Sequence, residues 1–221
     1  MRKIIGSAFL SLDGVMQGPG GPSEDTTGGF AHGGWVFGRF DDSVGAAVHA
    51  FFDRPYDLLL GRRTYDIFAA YWPYASGEEA PMGEAFTRAG KYVLTRAQAE
   101  LPWANSHALP DIDAVAALKA TDGPDLLIQG SSTIYPALLR HGLLDRLTTL
   151  TFPVLLGEGK RLFGPGTPAG ALRMVDHTVT SNGTVIATYE PAGPVPVGSF
   201  APPEPSAREV ERQRRMVEGG W

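Results

Sequence analysis

Leu127-Ile-Gln-Gly-Ser-Ser-Thr-Ile-Tyr135 is the stretch that decides how this chain reads. An apolar run ends abruptly at Gly130, Ser131 and Ser132, and an amphipathic pattern begins at once. The reading is a buried strand that turns through small residues into a helix over 133–140, with Ile134 and Leu138 inward. Such a junction presents free backbone N–H groups and the positive end of a helix dipole, which suit a phosphate. Packing alone can produce the same turn. Leu58-Leu-Leu-Gly-Arg-Arg-Thr-Tyr-Asp-Ile-Phe68 repeats the pattern upstream, now with Arg62 and Arg63 at the junction. Two phosphate-competent turns in one chain suggest a nucleotide with more than one phosphate.

Working outward, strands alternate with helices. Ile4 to Leu10 reads as a first strand, apolar enough to be buried on both faces as parallel strands are. Met1-Arg-Lys before it imitates a secretion signal, but Asp13-Gly14 closes the run as a turn would, and no small-residue cleavage pattern follows. A long loop from Asp13 to Arg39 carries Phe30, His32 and Trp35 among many glycines. So long a connection is unusual in a compact domain. It is either a substrate cover or a mobile surface loop, and its aromatic residues favour the cover. Asp41 or Asp42 caps a helix with Val44, Ala47, Val48, Phe51 and Phe52 on one face. Strands follow at 57–60, 91–95, 125–129 and 146–154, with helices at 63–71 and from Asp111 or Asp113 to Lys119. Ser181-Asn-Gly183 joins 172–180 to 184–189 as a hairpin. The expected fold is α/β, with a mostly parallel mixed sheet, flanking helices and a C-terminal antiparallel hairpin. Residues 1–190 form the domain. Residues 191–221 are a separate tail, in which Pro191 to Pro205 holds six prolines and reads as a strap. Ser206-Ala-Arg-Glu then opens a charged helix with a capping box.

Composition narrows the function. The chain has 221 residues, 43% of them hydrophobic, which supports a full core without any apolar run of membrane-spanning length. A net charge of -5 argues against a broad nucleic-acid face. The absence of cysteine rules out disulfides, thiolate metal sites and a cysteine nucleophile, and fits a reducing cytoplasm. The five histidines are scattered without metal-ligand spacing. Neither a Gly-x-Ser-x-Gly elbow nor a Walker-type loop nor a six-residue dinucleotide glycine fingerprint is present. What remains is distributed: Arg62, Arg63 and Thr64 at one strand end, Thr95 and Arg96 at another, Gly130 to Thr133 at a third. Ligands of open α/β sheets gather outside the carboxyl ends of the strands. Arginine there suits a phosphate through its planar donor fork.

Ser11-Leu-Asp-Gly-Val15, Leu60-Gly-Arg-Arg-Thr-Tyr65, Val93-Leu-Thr-Arg96, Ile128-Gln-Gly-Ser-Ser-Thr-Ile-Tyr135 and Thr151-Phe-Pro-Val-Leu-Leu-Gly-Glu-Gly-Lys-Arg-Leu-Phe163 occur in this order. Together they resemble the dihydrofolate reductase-like superfamily over about residues 3 to 190. The branch they are most similar to is the reductase domain of the bifunctional riboflavin-biosynthesis deaminase–reductase. The resemblance implies a three-layer fold and NADPH. It implies that Gly61, Arg62, Arg63 and Thr64 bind cofactor phosphates, and that Thr95 and Arg96 lie near the adenosine 2′-phosphate. Gly130, Ser131, Ser132 and Thr133 would hold the pyrophosphate, and Ala8 would approach the nicotinamide. Members often carry two glycines where this chain has Gly130-Ser131.

Asp13, in the Ser-Leu-Asp-Gly motif, is the expected polar contact to substrate and candidate proton source, with water as the alternative; Trp35 is the expected cover. The zinc-deaminase signature is missing, so only a reductase step is available. The expected activity is NADPH-dependent reduction of a small heterocyclic, pterin- or pyrimidine-like, or carbonyl substrate. A non-catalytic nucleotide-binding or interaction protein on the same scaffold is the other reading. A homodimer is also expected, from the resemblance and from the apolar surplus of Leu147, Leu150, Phe152, Val154 and Leu155. The strap could then reach the second subunit.

Overall fold

The computed structural model describes residues 1–96, 100–200 and 204–220. In chain order the elements are β1 (Ile4–Ser11), α1 (Asp42–Phe51), β2 (Tyr56–Gly61), α2 (Arg62–Tyr71), α3 (Ala80–Arg88), β3 (Lys91–Leu94), β4 (Ser106–Leu109), α4 (Ile112–Ala120), β5 (Asp125–Gln129), α5 (Tyr135–Arg140), β6 (Arg146–Phe152), β7 (Leu172–Val179), β8 (Val185–Pro191) and α6 (Ala207–Val217). One eight-stranded sheet runs β4-β3-β2-β5-β1-β6-β8-β7. β1 lies between two parallel partners, β5 and β6, and only the β6–β8 and β8–β7 pairings are antiparallel. Because β1, β2, β3 and β5 are parallel, their carboxyl ends share one edge.

Period-2 alternation sends the strands' side chains to two helical layers. Ile4, Ala8, Leu59, Leu126, Ile128 and Leu147 pack with Val115 of α4 and Tyr135 and Leu138 of α5. On the other face Leu58, Leu60 and Val93 pack with Tyr65 of α2 and Phe86 of α3, while Leu150, Phe152 and Ile186 pack with Val44 of α1. α1 is capped by Asp41, whose carboxylate accepts from the Val44 amide at 3.0 Å and from the Ser181 hydroxyl at 3.2 Å. One side chain therefore fixes both a helix start and the β7–β8 turn. Asp111, not Asp113, caps α4 through the Ala114 amide.

Three expectations are corrected. The helix after Gly130 begins at Tyr135 rather than Thr133, because Gly130 (φ 80°) and Ser131 (φ 60°) are both left-handed and Ile134 only completes the turn. α3 and β4 were not foreseen: α3 has Pro81 in its first turn, and β4 is a four-residue strand at the sheet edge without a buried alternation. Most of the apolar surplus assigned to the sixth strand is absorbed within one chain, since Leu147, Leu150 and Phe152 are each buried in its own core; Val154 is half-buried and Leu155, past the end of β6, is 74% exposed. β7 is the strand left uncovered, exposed along its whole length. α6 buries nothing. Its first turn carries the expected Ser206 cap, and strap residues 201–203 lie outside the described residues.

Lys91 has no exposed surface, yet its ammonium has a full set of partners. It donates to the carbonyls of Phe86, Thr87 and Ala89 at 2.9, 2.9 and 2.7 Å and sits 4.5 Å from the Trp103 ring centroid. It thus closes the C-terminal end of α3, where carbonyls otherwise lack partners. Burial lowers its pKa to about 8. Replacing it by methionine keeps the stem and strands the carbonyls. Each buried, unsatisfied group costs about 1–3 kcal/mol. Lys91→Met is therefore expected to lower the urea midpoint well beyond a surface control such as Arg88→Met; equal midpoints would show that the carbonyls find other partners.

Candidate functional site

Two of the strand-end turns meet. The Gly61 amide donates to the Ser131 hydroxyl at 3.0 Å, across 70 residues of sequence. A Cβ on Gly61 would come within 3.3 Å of Thr133 Oγ1 and Ile134 Cγ2, so glycine is what lets the turns approach. A Cβ on Gly130 would lie 3.8 and 3.9 Å from the Thr64 side chain and 4.0 Å from Met16 Cε. Gly130 and Ser131 are successive and left-handed, a turn of the kind that favours an anion-binding concavity, while the Gly130 amide itself donates to the Ser7 carbonyl at 3.1 Å. α2 begins at Gly61 with no side-chain cap, which leaves its first N–H groups without a side-chain acceptor. Arg62 Nε donates to both oxygens of Asp66 at 2.9 and 3.0 Å, its guanidinium lies 5.9 Å from the Tyr65 ring, and its Nη1 is buried without a partner. Arg63 is exposed. Thr95 and Arg96 follow β3, one strand beyond β2 at the same sheet edge, with the Thr95 amide bonded to the Leu109 carbonyl at 2.9 Å. A glycine cradle, uncapped helix amides and an orphaned guanidinium nitrogen fit a phosphorylated nucleotide.

The residues expected on the substrate side stand differently. Asp13 accepts from the Ser11 hydroxyl at 2.6 Å and from the amides of Leu156 and Gly157 at 3.1 and 2.9 Å, with Arg161 Nη2 at 3.7 Å. The Ser11 hydroxyl first, then the two amides, outweigh desolvation and hold its pKa down at about 2. Near neutrality it stands as a carboxylate, and Asp13 ties the end of β1 to the turn after β6. The Trp35 indole packs edge-on against Phe152, with centroids 5.6 Å apart, and its N–H donates to the Gln17 carbonyl at 2.8 Å. The side chain of Ala8 is buried among Leu59 and Ile128, in the layer of α4 and α5.

The long loop is ordered by residues that sequence reading passed over. Gln17 is buried; its amide donates to the carbonyls of Asp25 and Thr27 at 3.0 and 2.8 Å, and its Oε1 accepts from the Lys160 amide at 3.0 Å. Lys160 pairs with Asp25, whose pKa falls because the lysine and Thr27 bonds together outweigh its desolvation. Val15 and Arg161 form a bridge between the two loops. The only sequence signal was indirect: a glutamine in a Gly/Pro-rich loop and a Lys-Arg pair in the motif after the sixth strand. Among the described residues no group of three His, Cys, Asp or Glu side chains is arranged to hold a metal.

This strand order, its three layers and two converging small-residue turns define a dihydrofolate reductase-like α/β protein. Solved structures share the fold. A putative riboflavin biosynthesis protein from Shewanella sp. PV-4 matches with a TM-score of 0.64 at 21% identity, over 86% of this chain and 99% of that one. A pyrimidine reductase-like protein from Corynebacterium diphtheriae matches at 0.58 and 14%, over 86% and 92%. Dihydrofolate reductase from Enterococcus faecalis, complexed with NADP(H) and RAB-propyl, matches at 0.53 and 13%, over 86% and 96%. The uncharacterized protein YyaP of Bacillus subtilis is 26% identical over 194 residues, 85% of this chain and 94% of that protein. The RibD C-terminal domain family matches residues 2–186, and the chain belongs to it.

The role of Asp13 has a pH signature. An ionised carboxylate with a lowered folded-state pKa stabilises the fold fully above its unfolded value, 3.8, and loses that contribution as pH falls through about 2. Asp13→Asn is therefore expected to melt below wild type at pH 7, the gap narrowing steadily in melts taken from pH 4 down to pH 2. A gap that stays constant over that range would remove the ionic clamp.

Proposed function

We propose that this chain binds NADPH across the carboxyl ends of β1, β2, β3 and β5 and reduces a small heterocyclic, pterin- or pyrimidine-like, or carbonyl substrate. The observation that carries the reading is the meeting of Gly61 with Ser131 and of Thr64 with Gly130, which joins two anion-competent turns into one cradle. Family membership supports it. In this reading Gly61, Arg62, Arg63 and Thr64 take phosphate at the start of α2; Gly130, Ser131, Ser132 and Thr133 take the pyrophosphate; Thr95 and Arg96 face the 2′-phosphate. Bound there, the cofactor supplies the hydride, and the protein supplies orientation and water exclusion. Ala8 contributes through its backbone, its side chain being committed to the core. Trp35 shapes the substrate side by packing on Phe152, its N–H being taken by the Gln17 carbonyl. The proton comes from water, since the Asp13 carboxylate is held ionised. The second reading is a nucleotide-binding protein without turnover, and consumption of NADPH separates the two. We place the protein in the cytoplasm, where a cysteine-free chain and a reduced nicotinamide pool belong together.

We further propose a homodimer formed through β7. Leu172, Met174, Val175 and Val179 are 40%, 48%, 38% and 62% exposed on an edge strand, a surface that invites pairing. Full-length protein is expected to scatter light as a dimer and Met174→Lys as a monomer; a wild-type monomer at micromolar concentration would defeat this.

NADPH is expected to bind more tightly than NADH, and Arg96→Ala to narrow the difference. Losing a charge-assisted contact costs roughly 1.5–3 kcal/mol, about ten- to a hundredfold in affinity. Fluorescence titration of both cofactors checks this. Equal wild-type affinities would sink the 2′-phosphate assignment.

A further inference from the structure

α2 starts against its own dipole. Its first two residues are Arg62 and Arg63, no acidic residue stands in its first turn, and Gly61 before it offers no capping side chain. Cations are disfavoured at the positive end of a helix, and an anion there offsets the cost. Arg62 is held by its neighbours. Its Nε donates to both oxygens of Asp66 at 2.9 and 3.0 Å, and its guanidinium lies 5.9 Å from the centroid of the Tyr65 ring. Tyr65 is itself anchored: it is buried, and its hydroxyl accepts from the Trp103 amide at 3.0 Å. Trp103 is buried in turn, with its indole N–H on Thr87 Oγ1 at 3.1 Å and the Lys91 ammonium over its face.

Helix stability does not explain the pairing of Arg62 with Asp66. At i,i+4 the favourable order places the acid before the base, and here the base comes first. Asp66 is half exposed, and a pair so open to water adds little to the stability of the fold. What the pair does fix is geometry. A guanidinium carries five N–H donors; Asp66 takes the one on Nε, and Nη1 is buried without a partner. Buried donors are nearly always bonded, so this nitrogen marks where an acceptor belongs. Arg62 directly follows Gly61, whose amide bonds Ser131, so the held guanidinium stands one residue from the meeting of the two turns.

We infer that Asp66 is a positioning residue: it grips Arg62 by Nε against the Tyr65 ring, so that the arginine meets phosphate through Nη1 without first having to be ordered. The inference rests on the NADPH reading for what brings the phosphate, and on the geometry of the pair for the rest. Its sign is opposite to that of simple charge. A carboxylate near a phosphate repels it, so by Coulomb's law alone removing Asp66 would tighten an anionic ligand. Positioning predicts weakening, because an untethered arginine loses its rotamer freedom on binding instead of beforehand.

The test is titration of full-length wild type and variants with NADPH at pH 7, followed by fluorescence. Asp66→Ala should weaken NADPH about three- to tenfold, the penalty for ordering one long side chain. Asp66→Asn should bind more tightly than Asp66→Ala, since the two variants carry the same charge and differ in the acceptor left for Nε. In an Arg62→Ala background Asp66→Ala should no longer weaken binding, which shows that the carboxylate acts through the arginine. The variants should melt close to wild type, because the pair is exposed. The inference is overturned if Asp66→Ala binds as tightly as wild type or more so, if Asp66→Asn is no better than Asp66→Ala, or if the weakening persists without Arg62. Failure of wild type to bind NADPH would instead overturn the cofactor reading. The same variants titrated calorimetrically with inorganic pyrophosphate then decide the role of Asp66: the same pattern supports it, and no binding or no difference defeats it.

Discussion

The parallel flanking of β1 by both β5 and β6 is the constraint on which the structure depends. A strand paired on both edges and covered on both faces needs its neighbours' connections to cross over through helices, and those crossovers bring parallel strands to a common end. α4 and α5 therefore lie against one face, and α1, α2 and α3 against the other. The small-residue turns after β2 and β5 open at that common end because they have no other place to open. The ion pair of Arg2 with Asp57 fixes the far end, with Arg2 Nε also bonded to the Pro124 carbonyl at 2.6 Å and its guanidinium 5.2 Å from the Tyr92 ring. A nearly buried pair of this kind needs further hydrogen bonds to offset its desolvation, and the Pro124 carbonyl on Arg2 and the Gly90 amide on Asp57 supply them.

The loop after β1 shows how a long connection is held in place without secondary structure. Its ordering entropy is large, and its apolar content is modest. The holding groups are instead polar and sit in the segment after β6: the Leu156 and Gly157 amides on Asp13, the Lys160 amide on Gln17, and the Lys160 ammonium on Asp25. The Asp25 side chain is only 9% exposed, so this pair is less screened than the surface pairs along α6. The two loops consequently form one unit beside the end of β1. A change in either is felt at the end of β1, which links loop order to the geometry of the site.

The tail behaves otherwise. α6 is held by its own ladder of ion pairs, Glu209 with Arg212, Glu211 with Arg214 and Arg215, and Arg214 with Glu218. Pairs of that spacing stabilise a helix by a few tenths of a kcal/mol each, roughly, and need no support from the domain. This is why its helical character and capping box could be read from sequence, whereas it carries no apolar stripe that would place it on the body.

What the sequence determined by itself were the features that are local. Apolar runs closed by small residues located β1, β2 and β5; the Ser181-Asn-Gly183 turn located the hairpin; and the ordered motifs named the superfamily and marked the small-residue turns after β2 and β5. What only the tertiary structure decided were the features whose second partner is distant or anonymous. Asp13 looks available in sequence because its partners, the Leu156 and Gly157 amides, are backbone groups that any residues would supply. Gln129 and Ser7 become neighbours only through strand register, and a slip of one residue would turn either to the opposite face. Gly61 and Ser131 meet because their strands end at one edge, a fact of topology. Sequence pattern encodes which face a residue turns; long-range pairing encodes what it meets there.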